Sequence, residues 1–343
     1  MPPRHPDIAH ALGLVRAALK QARTHDAVPK GQPYGLVVAC SGGRDSVALL
    51  GLLALIADRD RLDLTVAHVD HGLRSSSEDD AAHVQALANR LGVRHVACRL
   101  QLGTKAAGVP ARARAGRHDA LESMRVAASA RRIALAHTAT DQAETMLLHL
   151  CRGAGLRGLG GMRAVEPDRP VVRPLLQLPR ADTATLCARL GMAFVDDPTN
   201  DDDAHPRIRI RRDVLPALSE VRGGVEEALG AAARAARDAE DALRIWAEGE
   251  RAQRSREAGG LDLSTWGGLP RAVRLRVLQA VVVDAGVAVD AIGRRTLDAI
   301  DRGVLAGGRK AWALCSGARV STDGRTLQIH VSGRVRTPPT EPT

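Results

Sequence analysis

The segment Ser41-Gly42-Gly43-Arg44-Asp45-Ser46 sets two glycines, two hydroxyls and a carboxylate between a β-favouring run, Tyr34 to Cys40, and an apolar helix-like run, Ser46 to Ile56. Glycines at such a junction allow a tight turn and close backbone approach. The helix that follows offers unpaired N–H groups and the positive end of its dipole to an anion, and phosphate suits this arrangement. The Lys-Ser/Thr of a Walker A loop is missing, so the cradle is of another kind. Asp45 adds a constraint, because a carboxylate beside a phosphate is repulsive unless a divalent cation or a substrate hydroxyl lies between them. The plainer reading is a glycine turn whose helix is capped by Ser41 or Ser46.

Other residues have spacings that could serve the same chemistry. Asp141 and Glu144 stand three apart at an expected helix start, so both carboxylates can face one way, although Asp141 would also serve as an N-cap. Arg114 and Arg117 are three apart on another expected helix, and Arg207 and Arg211 share a face within the run Arg207, Arg209, Arg211, Arg212. Both basic sets suit phosphate contacts, and both also fit a solvated basic face.

The elements that must position these residues alternate. Strands are expected at 34–40, 62–69, 93–100 and 133–137, with helices at 46–56, 78–91, 111–130 and 142–151. That order implies a doubly wound parallel sheet of the α/β class, with ligands at the carboxyl ends of its strands. The segments following strands, 41–46, 70–74 and 138–145, are the ones placed to carry chemistry. A helix and loop over 1–33 precede a catalytic domain over 34–222. A helical connector over 223–260, a small α+β domain over 261–335 and a tail over 336–343, expected to be disordered, follow it.

Of the 343 residues, 49 are Lys or Arg and 39 are Asp or Glu, a net charge of +10 that favours a polyanionic partner or reflects an indifferent basic surface. Tyr34, Phe194, Trp246, Trp266 and Trp312 are too scattered for base stacking along a single strand, which favours reading of folded RNA through shape and phosphates. Five separated cysteines with no C-x-x-C pair argue for reduced thiols and a cytoplasmic protein. The longest apolar run, Val47 to Ala57, is too short to cross a bilayer, so no membrane role is expected. A homodimer is compatible with the sequence, which leaves the oligomeric state open.

Ser41 to Ser46 resembles the SGGxDS signature of the PP-loop, or N-type, ATP pyrophosphatases, which split ATP into AMP and pyrophosphate. Within that superfamily the chain resembles the tRNA(Ile)-lysidine synthetases, which join lysine to the wobble cytidine of a CAU-anticodon isoleucine tRNA. The matching segments run in order: His68-Val69-Asp70-His71-Gly72-Leu73-Arg74 for HVDHGLR, Ala113-Arg114-Ala115-Gly116-Arg117 for AR-x-x-R, and Asp141-Gln142-Ala143-Glu144-Thr145 for DQxET. The glycine-rich 153–162, Arg173-Pro174-Leu175-Leu176 and Asp197-Pro198-Thr199-Asn200 continue the match.

The resemblance implies ATP and Mg²⁺ as cofactors and tRNA(Ile) and L-lysine as substrates. Asp45, Arg114, Asp141 and Glu144 would be catalytic. Ser41, Gly42, Gly43, Arg44, Asp45, Ser46 and His71 would hold the nucleotide, with Asp45 at the metal. Arg74, Arg117, Arg207 and Arg211 would hold substrate, and Asp141 would receive the lysine ammonium. The cytidine would first be adenylated at its C2 oxygen, and lysine would then displace AMP. Thr140, His118 and Ile208 depart from the family pattern, Thr140 standing where the family often has an aspartate. A PP-loop thiolation enzyme and a non-catalytic nucleotide- or RNA-binding relative are the alternatives; scattered cysteines speak against the first, and Asp45, Asp141 and Glu144 in place against the second.

Overall fold

The computed structural model describes residues 5–70, 77–100, 109–195, 206–256, 260–288, 292–314 and 317–331. They form two compact units, 1–236 and 237–343, with the division falling inside one long helix. The first unit runs α1 (Pro6–His25), β1 (Tyr34–Ala39), α2 (Arg44–Asp60), β2 (Leu62–Asp70), α3 (Ser77–Arg90), β3 (Arg94–Arg99), α4 (Val109–Ala127), β4 (Arg132–Ala134) and α5 (Ala139–Cys151). The short α6 (Leu156–Leu159), β5 (Val171–Val172), α7 (Arg180–Arg189), α8 (Pro206–Arg209), α9 (Leu215–Val221) and α10 (Val225–Arg254) follow.

The five strands make one parallel sheet in the order β3-β2-β1-β4-β5. Strand β1 shows why it lies at the centre. Leu36 and Val38 point into a core shared with α1, α2, α3 and α7, while Val37 points into the opposite core with Leu121 of α4, and all three are fully buried. A strand buried on both faces reads as a continuous apolar run, which this one is. The chain builds outward from β1 to β3 on one side and from β4 to β5 on the other. The point where the order reverses, between β1 and β4, is where a doubly wound sheet opens a crevice at its carboxyl ends. The glycine turn leaves β1 there, and the 135–141 segment leaves β4 beside it.

The second unit contains β6 (Leu261–Asp262), α11 (Arg271–Asp284), α12 (Arg294–Leu305), β7 (Lys310–Ala313), β8 (Ala318–Thr322) and β9 (Thr326–Val331), with an antiparallel sheet in the order β6-β9-β8-β7. In its core Asp301 accepts two hydrogen bonds from Arg274, at 2.8 and 2.9 Å, and one from the Trp266 indole at 2.9 Å. The buried charge is therefore paired and its lone pairs are used.

The amino ends of the first sheet are fastened by a second buried ion pair. Arg132, 3% exposed, reaches Asp26 at 2.9 Å and the carbonyls of Glu166 and Val171, tying the end of α1 and the entry to β5 to β4. Tyr34 donates to the same carboxylate at 2.6 Å. Burial alone would raise the Asp26 pKa, but the hydrogen bonds from Arg132, Tyr34 and His25 outweigh it and hold the carboxyl at about 2, below its ordinary 3.8. A depressed folded value contributes stability above the unfolded value and loses it as pH falls toward the folded one. Arg132→Met is expected to lower the unfolding free energy by about 3 kcal/mol at neutral pH. In Asp26→Asn, denaturant melts should show less additional loss than wild type as pH drops from about 4 to about 2.

Candidate active site

The glycine turn has the geometry of an open anion cradle. Gly42 has φ +88°, and although a Cβ there would meet nothing closer than 3.6 Å, the conformation itself disfavours any other residue. Gly43 is the N-cap of α2, and no side chain caps the helix, so neither serine takes the capping role. The Ser46 hydroxyl instead donates back to the Gly43 carbonyl at 2.8 Å and accepts from the Ser41 N–H at 3.1 Å. Ser41 and Ser46 thus brace the turn internally while the first turn of α2, containing Arg44 and Asp45, faces the crevice end of the sheet.

Asp45 is placed by two residues of α7. Thr183 donates to one carboxylate oxygen at 2.7 Å, and the Arg180 guanidinium lies 3.2 Å from the other. Burial pushes the Asp45 pKa up; Thr183 and Arg180 oppose this, and the negative charge of Asp141 adds to it. Two carboxylates that feel one another at the mouth of a phosphate cradle fit a divalent cation. Among the described residues no three His, Cys, Asp or Glu side chains gather as a metal cage. That donor set matches Mg²⁺, which commonly takes one or two carboxylates and completes its shell with phosphate oxygens and water.

Every polar residue of Asp141-Gln142-Ala143-Glu144-Thr145 has a distinct task. Helix α5 begins at Ala139, two residues before Asp141, so Asp141 is not the N-cap. Thr138 is the N-cap, and it forms a reciprocal capping box with Asp141 at N3. One Asp141 oxygen accepts from both the Thr138 N–H and its hydroxyl, each at 2.8 Å. The other lies 3.8 Å from Arg211. Gln142, buried, donates to the Met162 carbonyl at 3.2 Å and accepts from the Met162 N–H at 2.8 Å. It thereby pins the glycine-rich loop, where Gly161 has φ +57° and a Cβ would come within 2.7 Å of the Gln142 amide.

Glu144 is fully buried, and Arg211 donates to one of its oxygens at 2.6 Å. Its other oxygen has no hydrogen-bond partner. Burial pushes its pKa up against the pull of Arg211. Thr145 accepts from Arg207 at 3.2 Å. The expected pairs Asp141 with Glu144 and Arg207 with Arg211 therefore meet one another. Arg211 sits in a π turn, Ile210–Val214, before Pro216 at the start of α9. Pro216 has no N–H, so one i→i−4 bond cannot form and the wider turn takes its place. Ile210 and Leu215 meanwhile pack on Ala143, which holds the turn against α5.

Arg117 on α4 is half-buried, and its charge reaches His137, as do those of Arg173, Arg207 and Asp141. The His71 and Arg74 expectations lie outside the described residues, as does the side chain of Arg114. At Thr140 the hydroxyl accepts from the Arg180 N–H at 3.1 Å and donates to Glu226 of α10 at 2.9 Å. A carboxylate thus arrives beside the position of the family's aspartate. Sequence reasoning missed Arg180, Thr183, Glu226 and His137. None of these left a local signal, whereas the Thr138 cap, also missed, did, as the Thr of a T-x-x-D pattern ahead of an apolar run.

The PP-loop domain family matches residues 17–218, more than half of the chain. The chain is 39% identical over 293 residues to the tRNA(Ile)-lysidine synthase of Thermobifida fusca, covering 85% of this chain and 88% of that protein. It belongs to the tRNA(Ile)-lysidine synthase family. The relative from Methylobacterium sp. is 36% identical and covers 91% of both chains. Among solved structures, the U34-tRNA thiolase NcsA of Methanococcus maripaludis matches with a TM-score of 0.52 at 15% identity, over 64% of this chain and 79% of that one. At that identity the likeness is one of fold. In this member of the lysidine synthase family, no described helix is long and apolar enough to cross a membrane.

The buried Glu144–Arg211 pair gives a prediction with a sign. Arg211→Met leaves an uncompensated buried carboxylate and should cost about 3 kcal/mol at neutral pH. A raised folded pKa penalises only the ionised form, so the penalty is absent below the unfolded carboxylate value and grows as pH rises toward the folded one. Melts from pH 4 to 8 should therefore find this variant nearest wild type in acid. A deficit independent of pH would contradict the pairing.

Proposed function

We propose that this protein uses ATP to join lysine to C2 of the wobble cytidine of a CAU-anticodon isoleucine tRNA, giving lysidine, AMP and pyrophosphate. The observation that carries the reading is the uncapped start of α2 at the reversal point of the sheet, where Asp45 feels the charge of Asp141, which in turn lies 3.8 Å from Arg211. The N–H groups of the turn and the helix dipole suit the pyrophosphate of ATP. Attack by the cytidine C2 oxygen on the α-phosphorus forms one P–O bond and breaks another, and pyrophosphate leaves with the bonding electrons. The lysine amine then forms the C2–N bond as AMP leaves. Mg²⁺, held by Asp45, would neutralise charge on the phosphates.

Asp141 fits the lysine ε-ammonium through the oxygen that the capping box leaves available, an acceptor placed to hold the nucleophile and take up its proton. Arg117, Arg207 and Arg211 suit phosphates of the nucleotide and tRNA. His71, Arg74 and Arg114 are proposed to join them on the strength of their motifs. A tRNA substrate goes with a cytoplasmic setting, and the net charge of +10 suits a polyanion.

Purified protein with ATP, labelled lysine and a CAU isoleucine transcript should incorporate lysine, while a methionine transcript with the same anticodon should not. Incorporation of sulfur or ammonia instead would overturn the reading. Asp141→Asn keeps an acceptor for the cap but loses the charge, so the KM for lysine should rise roughly tenfold or more with little change in Tm. Unchanged lysine kinetics would remove Asp141 from this role. Asp45→Asn should lower turnover by roughly 100-fold or more. It should also melt higher than wild type at pH 7 without ligands, because the folded state disfavours the Asp45 charge and that cost is present above the unfolded carboxylate pKa.

A further inference from the structure

His137 lies where the chain leaves β4, one residue before the Thr138 cap, at the reversal point between β1 and β4. Its ring is fixed from behind. Arg173 Nε donates to His137 Nδ1 at 3.1 Å. The guanidinium is anchored in turn by Glu166, 2.6 Å from its Nη1, and by the Arg163 carbonyl at 2.8 Å. Arg173 is itself 8% exposed.

A guanidinium does not give up its proton in a protein, so Nδ1 can only accept. The neutral ring must then carry its hydrogen on Nε2. This reverses the polarity of a Ser-His-Asp arrangement, in which a carboxylate accepts from Nδ1–H and leaves Nε2 bare to act as a base. Here the outer partner donates, and Nε2 is left as an N–H. The charges facing the ring are Asp141 from α5, Arg117 from α4, Arg207 from α8 and Arg173 after β5, three cations to one anion. Burial, with the three guanidiniums and against Asp141, pushes the imidazole pKa down to about 4. A neutral donor among cations has an anionic oxygen as its natural partner.

We infer that His137 takes part in the reaction as a neutral hydrogen-bond donor, its Nε2–H directed to a non-bridging oxygen of the α-phosphate, and not as the base for lysine. The inference rests on the proposed function. In the adenylation step a lone pair of the cytidine C2 oxygen forms the new bond to phosphorus, the bond to the β-phosphate oxygen breaks, and pyrophosphate departs with the electron pair. His137 keeps its proton throughout and offsets charge that builds on the phosphoryl oxygens as the phosphorus is attacked. Arg173 is a positioning residue that sets the tautomer.

The first test needs no substrate. Nitrogen-15 NMR of the full-length protein labelled at histidine, with the His137 signals assigned by their loss in His137→Gln, should show Nε2 protonated and Nδ1 bare, unchanged from pH 8 to pH 5.5. A proton on Nδ1, or a ring that titrates near the ordinary value of about 6.5, overturns the inference. The second test is single-turnover adenylation of the tRNA transcript without lysine. His137→Ala should slow it roughly 100-fold with little change in the KM for ATP. His137→Gln, whose amide N–H lies near the place of Nε2, should recover at least about tenfold of that loss. Arg173→Met should let a hydrogen appear on His137 Nδ1 in the nitrogen-15 spectrum, because no guanidinium then holds that nitrogen as an acceptor. Equal rates for the Gln and Ala variants at matched Tm, or an Nδ1 that stays bare in Arg173→Met, overturn it. Wild-type protein that adenylates the tRNA but joins no lysine would sink the functional reading alone, and the comparison of variants would still decide the role of His137.

Discussion

The full burial of the Glu144 carboxylate is the constraint on which the crevice depends. An ionised carboxylate out of water must be compensated, and the compensating charge comes from Arg211, in a turn 67 residues further along the chain. The need to bring that guanidinium within 2.6 Å fixes the turn over α5. Arg207 is carried to Thr145 by the same placement, and the apolar contacts of Ile210 and Leu215 complete it. Hydrophobic packing alone would hold the turn against α5 with some freedom to slide, whereas the ion pair sets its register. Arg211 also comes within 3.8 Å of Asp141, so one basic side chain organises both carboxylates of the motif.

The crevice is electrostatically unfinished. Asp45 and Glu144 both carry pKa values pushed up by burial, and Asp141 adds repulsion to each. Guanidiniums from Arg180, Arg211 and Arg207 stand between and around these acids, and the uncapped start of α2 adds its own positive end. Groups of both signs held close together without full satisfaction suit a ligand that brings both signs too. A nucleotide triphosphate with its cation, followed by a cationic amino acid, is such a ligand. Folding free energy is held back here because binding is what completes the charge pairing.

Much of this was legible in the sequence, and the parts that were not share a cause. The strand and helix alternation, the chemistry at the carboxyl ends of the strands and the turn at 41–46 follow from local pattern, because β1 and α2 are adjacent in sequence and the turn between them is set by Gly42. The spacing of Asp141 and Glu144 correctly put both on one side of α5. Their partners could not be read in the same way: Arg180 and Thr183 reach Asp45 from α7, more than 130 residues away, and Glu226 reaches Thr140 from α10. No periodicity relates residues at such separations. The capping assignment failed for a different reason, since Thr138 and Asp141 both have capping chemistry and only the observed start of α5 separates N-cap from N3. The amide of Gln142 carries the glycine-rich loop 20 residues further on, which no local pattern marks.

The π turn at Ile210–Val214 has a consequence for how chains of this kind can change length. A π turn accommodates one more residue than the α-helical turn it replaces, so it acts as a phase adjustment between α8 and α9. Removing a single residue there would allow a regular helix to form and would rotate everything beyond it by about 100° about the helix axis. Arg211 would then leave the surface of α5 while Ile210 and Leu215 lost their common face. The segment can exchange side chains on its outer surface, but its residue count is set by the distance between a buried acid and the proline that follows.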